Sequence, residues 1–302
     1  MNTPVRLGLF AGALALVFGG ALTAGQVVGP RGDVPAGRDT AAHGDTWKTA
    51  ATAEHGGGHE ATAAMEVPKG LMVSQDGYTL RPAATTLPTG HALFSFTVLG
   101  PDGKAVRDYT PTHDKDLHFI VVRRDLTGFQ HLHPVLGANG TWTVPLALPE
   151  AGVYRAFADF APKSRGEDAL TLGVDLSVAG AYQPRAVAAP SRAAQVDGYT
   201  VALDGELMPG TSSPVTLTVS RDGRPVTDLQ PYLASYGHVV ALRAGDLAYL
   251  HVHPDGQPGD GMTSAGPAIK FFAEVPGAGT YRLHLDFRHQ GKVHTAAFTA
   301  VA

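Results

Sequence analysis

Six histidines recur in two sets with one spacing. His118, His131 and His133 lie in LHFIVVRRDLTGFQHLHP, and His238, His251 and His253 in GHVVALRAGDLAYLHVHP, at an offset of 120. The pattern H-x12-H-x-H is held while neighbours change from Phe119 to Val239 and from Gln130 to Leu250. On an extended strand, residues i and i+2 share a face. His131 and His133 therefore point one way, as do His251 and His253. In the second copy, Gly245-Asp246 suits a two-residue hairpin turn. That register sets Val240 opposite His251 and His238 opposite His253, with opposed Cβ atoms about 4.5–5.5 Å apart. The first copy gives the same triangle if Asp125-Leu126 is the loop, whereas a longer Asp-Leu-Thr-Gly loop would slip it.

Three neutral imidazoles on one hairpin face suit Cu(II) or Zn(II). The expectation is a copper or zinc ion in each repeat, released as the imidazoles protonate near about pH 6. Asp159 and Asp286, each in a YR-x3-DF strand, are candidates for a fourth ligand, with water as the alternative. His113, beside Asp114 and Asp116, crowds the first site alone. His284 shares a strand face with Asp286, and its counterpart is Phe157, so the two sites are not expected to be identical. The bland reading is packing, with HxHP as a strand end and its imidazoles bonded to backbone.

The elements that would hold these residues are strands. From Gly77 onward, short runs of Val, Leu, Phe and Thr alternate with Gly, Pro and Asp turns, as in an all-β sandwich. GYTL at 77–80 matches GYTV at 198–201, and PEAGVYRAFADF at 149–160 matches PGAGTYRLHLDF at 276–287. A whole domain is duplicated, and two copies make a pair of sandwiches rather than a solenoid. The expected fold is all-β, with two tandem Ig-like antiparallel sandwiches at 69–180 and 198–302 joined by a linker at 181–197. Tyr154 and Tyr281 sit where such folds carry a tyrosine corner. Trp142 reads as core.

The 302 residues include 23 basic and 27 acidic side chains, so no basic stripe asks for nucleic acid. No cysteine is present, which excludes disulfides and thiolate sites. Residues 1–29 read as a signal peptide or membrane anchor: Arg6 precedes an apolar run of 16 residues, Leu7 to Leu22. Residues 30–68, bearing His43, His55 and His59, read as a disordered tether of Gly, Ala, Thr and Pro. Both put the bulk of the chain outside the cytoplasm, either membrane-anchored or secreted.

The apolar N-terminus, the His-bearing linker, GLMVSQDGYTL, PYLASYGHVVALRAGDLAYLHVHP and GTYRLHLDF together resemble exported actinobacterial tandem-sandwich proteins. They also resemble small exported domains of the YtkA/FixH-like type, some of them associated with copper or heavy-metal handling. The resemblance spans most of the chain and implies an Ig-like sandwich and metal handling outside the cytoplasm. The reading is therefore a binder that buffers, confers resistance to, or delivers copper or zinc. The alternative is a non-enzymatic Ig-like envelope protein that binds an unidentified protein partner, with structural histidines. HxH on a sandwich also resembles Cu/Zn superoxide dismutase, but that family's cysteine pair is missing and no G-x-S-x-G or H-E-x-x-H motif occurs, so the chain reads as no enzyme.

Overall fold

The structure is a computed structural model, and it describes residues 67–250 and 252–302. The N-terminal anchor, nearly all of the tether and His251 lie outside the described residues. Those described fall within one compact unit, Ala63–Ala302, and carry strands and a single 3-10 turn, Lys163–Arg165.

The first sandwich is built from β1 (Ser74–Gln75), β2 (Tyr78–Pro82), β3 (Thr86–Leu87), β4 (Gly90–Leu99), β5 (Tyr109–Thr110), β6 (His118–Arg123), β7 (Gln130–Leu132), β8 (Val135–Leu136), β9 (Thr141–Leu148), β10 (Gly152–Pro162) and β11 (Leu170–Val178). One sheet runs β1-β2-β4-β9-β8; the other runs β3-β11-β10-β6-β7, with β5 on β10. The second sandwich repeats the plan with β12 (Ala193–Val196), β13 (Tyr199–Asp204), β14 (Ser212–Arg221), β15 (Arg224–Pro225), β16 (Gly237–Arg243), β17 (Tyr249–Leu250), β18 (Val252–Pro254), β19 (Ala268–Glu274), β20 (Thr280–His289) and β21 (Lys292–Val301). Its sheets run β12-β13-β14-β19-β18 and β17-β16-β20-β21. All pairings are antiparallel except β3 with β11. Ala193–Val196, expected in the linker, are instead a strand paired with β13.

Alternation explains most strands: β9 and β13 bury every second residue. Trp142 lies in the first core with Phe96 and Phe119, and Tyr154 and Tyr281 close their corners on the carbonyls of Glu150 (2.9 Å) and Gly277 (2.5 Å). β6 and β16 depart from alternation. Phe119 and Val121 face the first core, yet Ile120 and Val122 are also fully buried, because the outer faces of the two sheets pack on each other. That third core joins Ile120, Val122, Leu126 and Phe157 to Val240, Leu242 and Leu247. A strand covered on both faces reads as a continuous apolar run, which is what HFIVV and HVVAL are. The contact is pseudo-symmetric. Phe129 stacks on His284 (3.8 Å between ring centres), and its counterpart Tyr249 meets Phe157, the counterpart of His284, at 5.7 Å.

Residues 69–72 strap the sandwiches together. Tyr249 N–H bonds to Lys69 O, and Gly70 N–H to Thr171 O. Gly70 has φ +76°, and a Cβ there would lie 2.6 Å from the Phe157 ring, so only glycine passes between Phe157 and Tyr249.

The β6–β7 and β16–β17 turns differ from the expected two-residue loops. Each ends on a leucine with positive φ (Leu126 65°, Leu247 62°) and is held by an Arg–Asp pair. Arg123 is 1% exposed and makes a bidentate contact to Asp125 at 2.9 and 2.7 Å. Burial pushes the Asp125 carboxyl up, but hydrogen bonds from Arg123, Thr127 and the Arg185 N–H outweigh it and hold it at about 2. The Arg243–Asp246 pair is more exposed. Arg123→Ala is expected to lower stability by about 3–5 kcal/mol, as for one partner removed from a buried pair. Arg243→Ala is expected to cost clearly less, with urea denaturation as the check.

Candidate metal centre

The outer face of β6 begins at His118, and register carries the rest. Ile120 is opposite His131 on β7, so His118, His131 and His133 share the face that meets the second sandwich. This is the register expected if Asp125-Leu126 closes the loop. One nitrogen from each of the three rings lies within 4.8 Å of the others. Among the described residues they form the one such group of three or more candidate ligands.

The neighbours of these rings fix where their protons sit. His118 Nε2 lies 3.0 Å from Thr112 O, a carbonyl that only accepts, so Nε2 carries the hydrogen. His131 Nδ1 donates to Asp286 Oδ2 at 2.7 Å, across the sandwich boundary. That leaves His118 Nδ1 and His131 Nε2 as lone pairs facing each other at 3.0 Å. At that distance either a shared proton or a metal ion bridges the two nitrogens. Two nitrogens each about 2.0–2.1 Å from a tetrahedral zinc would sit roughly 3.3 Å apart, so the residues fit the ion with a few tenths of an ångström of movement. His133 Nε2 is buried and has no hydrogen-bond partner. A carboxylate or carbonyl on the far nitrogen of a ligating imidazole is the usual way its tautomer is set.

The second sandwich contributes differently from expectation. β16 and β17 keep the expected pairing, Leu242 with Tyr249. The chain then leaves after Leu250, and β18 joins the opposite sheet, pairing His253 with Phe272. The first copy stays on β6 through Leu132 before crossing to β8. His253 is thus not opposite His238. Its side chain is 48% exposed and stands 3.9 Å from Glu274. The described residues therefore do not form a second three-histidine hairpin site, and His251 lies outside them. His238 instead joins the first set, its ring 6.2 Å from His118 and 6.4 Å from His131, with Nε2 bonded to Leu233 O at 2.7 Å.

The remaining candidates separate. Asp286 is an outer partner of His131, also accepting from Thr295 Oγ1. Asp159 pairs with His118 in register and accepts from Thr171 Oγ1 at 2.8 Å. His284 lies off the cluster under Phe129, with Nδ1 unpartnered. His113 is exposed, 4.8 Å from His238 and 6.1 Å from His118 between ring centres. Tyr232, not foreseen, packs edge-on to His133 and His238. The covered outer faces of β6 and β16 were the sequence signal that the sites would meet.

Burial keeps His118, His133, His238 and His284 neutral. It pulls His118, also pressed by the His131 ring, down to about 4, and His133, beside His131 and His118, to about 3. His238 and His284 are likewise held at about 3 by burial. Neutral imidazole is the ligating form. Unfolded histidine titrates near about 6.5, so above that pH both states are neutral and this stability is intact. Below it the unfolded chain binds protons that the fold refuses. The metal-free protein is expected to lose stability from about pH 6.5 down toward pH 3, at up to roughly 1.4 kcal/mol per pH unit per buried ring. Urea midpoints across that range, flat in a His284→Phe variant's share, provide the check.

The family model described as "Domain of unknown function (DUF8832)" matches at residues 73–178 and again at 194–302. None of the curated proteins matches. Solved structures align at low similarity. The Yersinia pseudotuberculosis adhesin InvE is 12% identical over 74% of this chain and 58% of its own, with a TM-score of 0.23. Y. pseudotuberculosis InvD is 14% identical over 76% and 58%, TM-score 0.23. A two-domain fibronectin type III segment of chicken tenascin is 8% identical over 74% and 96%, TM-score 0.23. The chain thus spans less than two thirds of the two Yersinia proteins.

Proposed function

We propose that this chain, which belongs to the DUF8832 family by its two matches, is an extracytoplasmic binder of Cu(II) or Zn(II), a reading carried by its histidine cluster. It takes a single ion at the seam of its two sandwiches. His118, His131 and His133 are the ligands, Asp286 orients His131 from the other repeat, and the role is buffering or delivery, not catalysis. The observation that carries the reading is the pair of lone pairs at 3.0 Å, each fixed by a partner on its far nitrogen. Imidazole nitrogen is a ligand for both ions, Cu(II) the more tightly held of the two at a given site. Among the described residues no helix is long and apolar enough to cross a membrane. Retention at the envelope is assigned to the Leu7–Leu22 run.

The test is ion content of the full chain after exposure to Zn(II) or Cu(II) and desalting. A single tightly held ion per chain is expected, absent from His118→Ala/His131→Ala/His133→Ala. Equal content in wild type and variant would sink the reading and leave the histidines as packing groups of an Ig-like interaction protein.

A further inference from the structure

Two of the inner rings are closed off, His118 at 4% exposed and the His131 side chain at 4%, and His133, although half-buried, has its Nε2 covered. An ion needs a way in. His113 is the exposed histidine of the cluster. It sits on a two-residue hairpin turn closed by Thr112 N–H to Lys115 O (2.9 Å) and Lys115 N–H to Thr112 O (3.1 Å). His113 and Asp114 both have positive φ, 50° and 61°. Such turns favour Asn-Gly, so a His-Asp pair holds this backbone at a cost. The turn lays the His113 ring over His238 of the other repeat and beside His118. The Nε2 hydrogen of His238 is committed to Leu233 O, which leaves its Nδ1 lone pair uncommitted.

We propose that His113 and His238 form an outer station through which the ion enters and leaves the inner set. This rests on the metal reading above. In the exchange, bonds from the ion to His113 and His238 break as bonds to His118, His131 and His133 form. The ion keeps its charge. Starting from neutral rings no proton leaves, because His118, His131 and His238 offer nitrogens whose opposite partners keep the hydrogens, and a proton shared between His118 and His131 would pass to solvent as the ion replaces it. Asp159 and Asp114 act on the exposed ring and favour a cation at the mouth, with His253 and His131 opposing them. Only the first repeat supplies a turn histidine: the counterpart of His113 is Leu233, in the same turn with φ 55°.

That counterpart supplies the test. His113→Leu places in the first turn the residue that the second already holds there, and His113→Asn suits positive φ. Loading and release of Zn(II) on the full chain are followed by stopped flow against a chelating indicator. An interaction made only during transfer speeds both directions and leaves the equilibrium alone. Both rate constants are expected to fall by about tenfold, with Kd and ion content unchanged. Faster release with unchanged loading would make His113 an ordinary ligand and overturn the station. Rates that do not move would overturn it too, placing the entry elsewhere. A wild-type chain that retains no Zn(II) or Cu(II) marks failure of the metal reading itself, and the station falls with it.

Discussion

Alanine at His131 is expected to strip the ion, whereas alanine at His253 leaves ion content unchanged. HLHP and HVHP look alike, but His131 and His253 (the counterpart of His133) lie on strands that pair with different sheets. His131 faces His118 at 3.0 Å and is braced by Asp286. His253 lies on the opposite sheet of its sandwich, by Glu274. Structural zinc sites bind with about 10–16 kcal/mol, so one of three or four ligands accounts for roughly 3–4 kcal/mol, a loss of a hundredfold or more. Asp286→Ala, which releases the orientation of His131, is expected to weaken binding about 10–100-fold. Chelator competition on the three variants gives the order His131, Asp286, His253. An equal loss at His253 would mean that the second hairpin binds in its own right.

The second large effect lies in the seam. Leu242 is fully buried against the first sandwich's outer face. Leu242→Ala is expected to cost about 2–5 kcal/mol, as buried leucine truncations do. Leu93, 76% exposed on another face of the first sandwich, gives a control within about 0.5 kcal/mol. The seam also holds the His131–Asp286 bond, so Leu242→Ala should weaken ion binding without touching a ligand. Urea denaturation and chelator competition on the same preparation report both. A variant with lost stability and unchanged ion affinity would separate the site from the seam.

Much of the fold was legible because duplication and alternation are local in the chain. The GYT motifs, the tyrosine corners and the register of His131 against Ile120 all follow from spacing. What was not legible was partner choice. Whether Val252–Pro254 pairs with β16 or β19 depends on which sheet edge is nearer, and no spacing in HVHP encodes that. The loop at Gly245 misled for a related reason. The glycine does take positive φ (98°), but so does Leu247, and the Arg243–Asp246 contact sets the turn's size. The meeting of the two sites was written in HFIVV and HVVAL as runs without polar alternation. Reading it required asking what covers the second face.

The pseudo-symmetric seam has the form of a two-fold dimer interface made within one polypeptide. A dimer of identical subunits falls apart on dilution, and its shared site goes with it. Here the tie between the sandwiches holds the facing surfaces at an effective concentration in the millimolar range or above, about that of short linkers. On the metal reading proposed above, occupancy then depends on free metal and not on protein. Fusion also frees the halves from copying each other. A homodimer would carry every substitution twice, whereas this chain keeps His113 opposite a leucine and His284 opposite a phenylalanine, and so leaves the three clustered rings with one half and the Asp286 brace with the other.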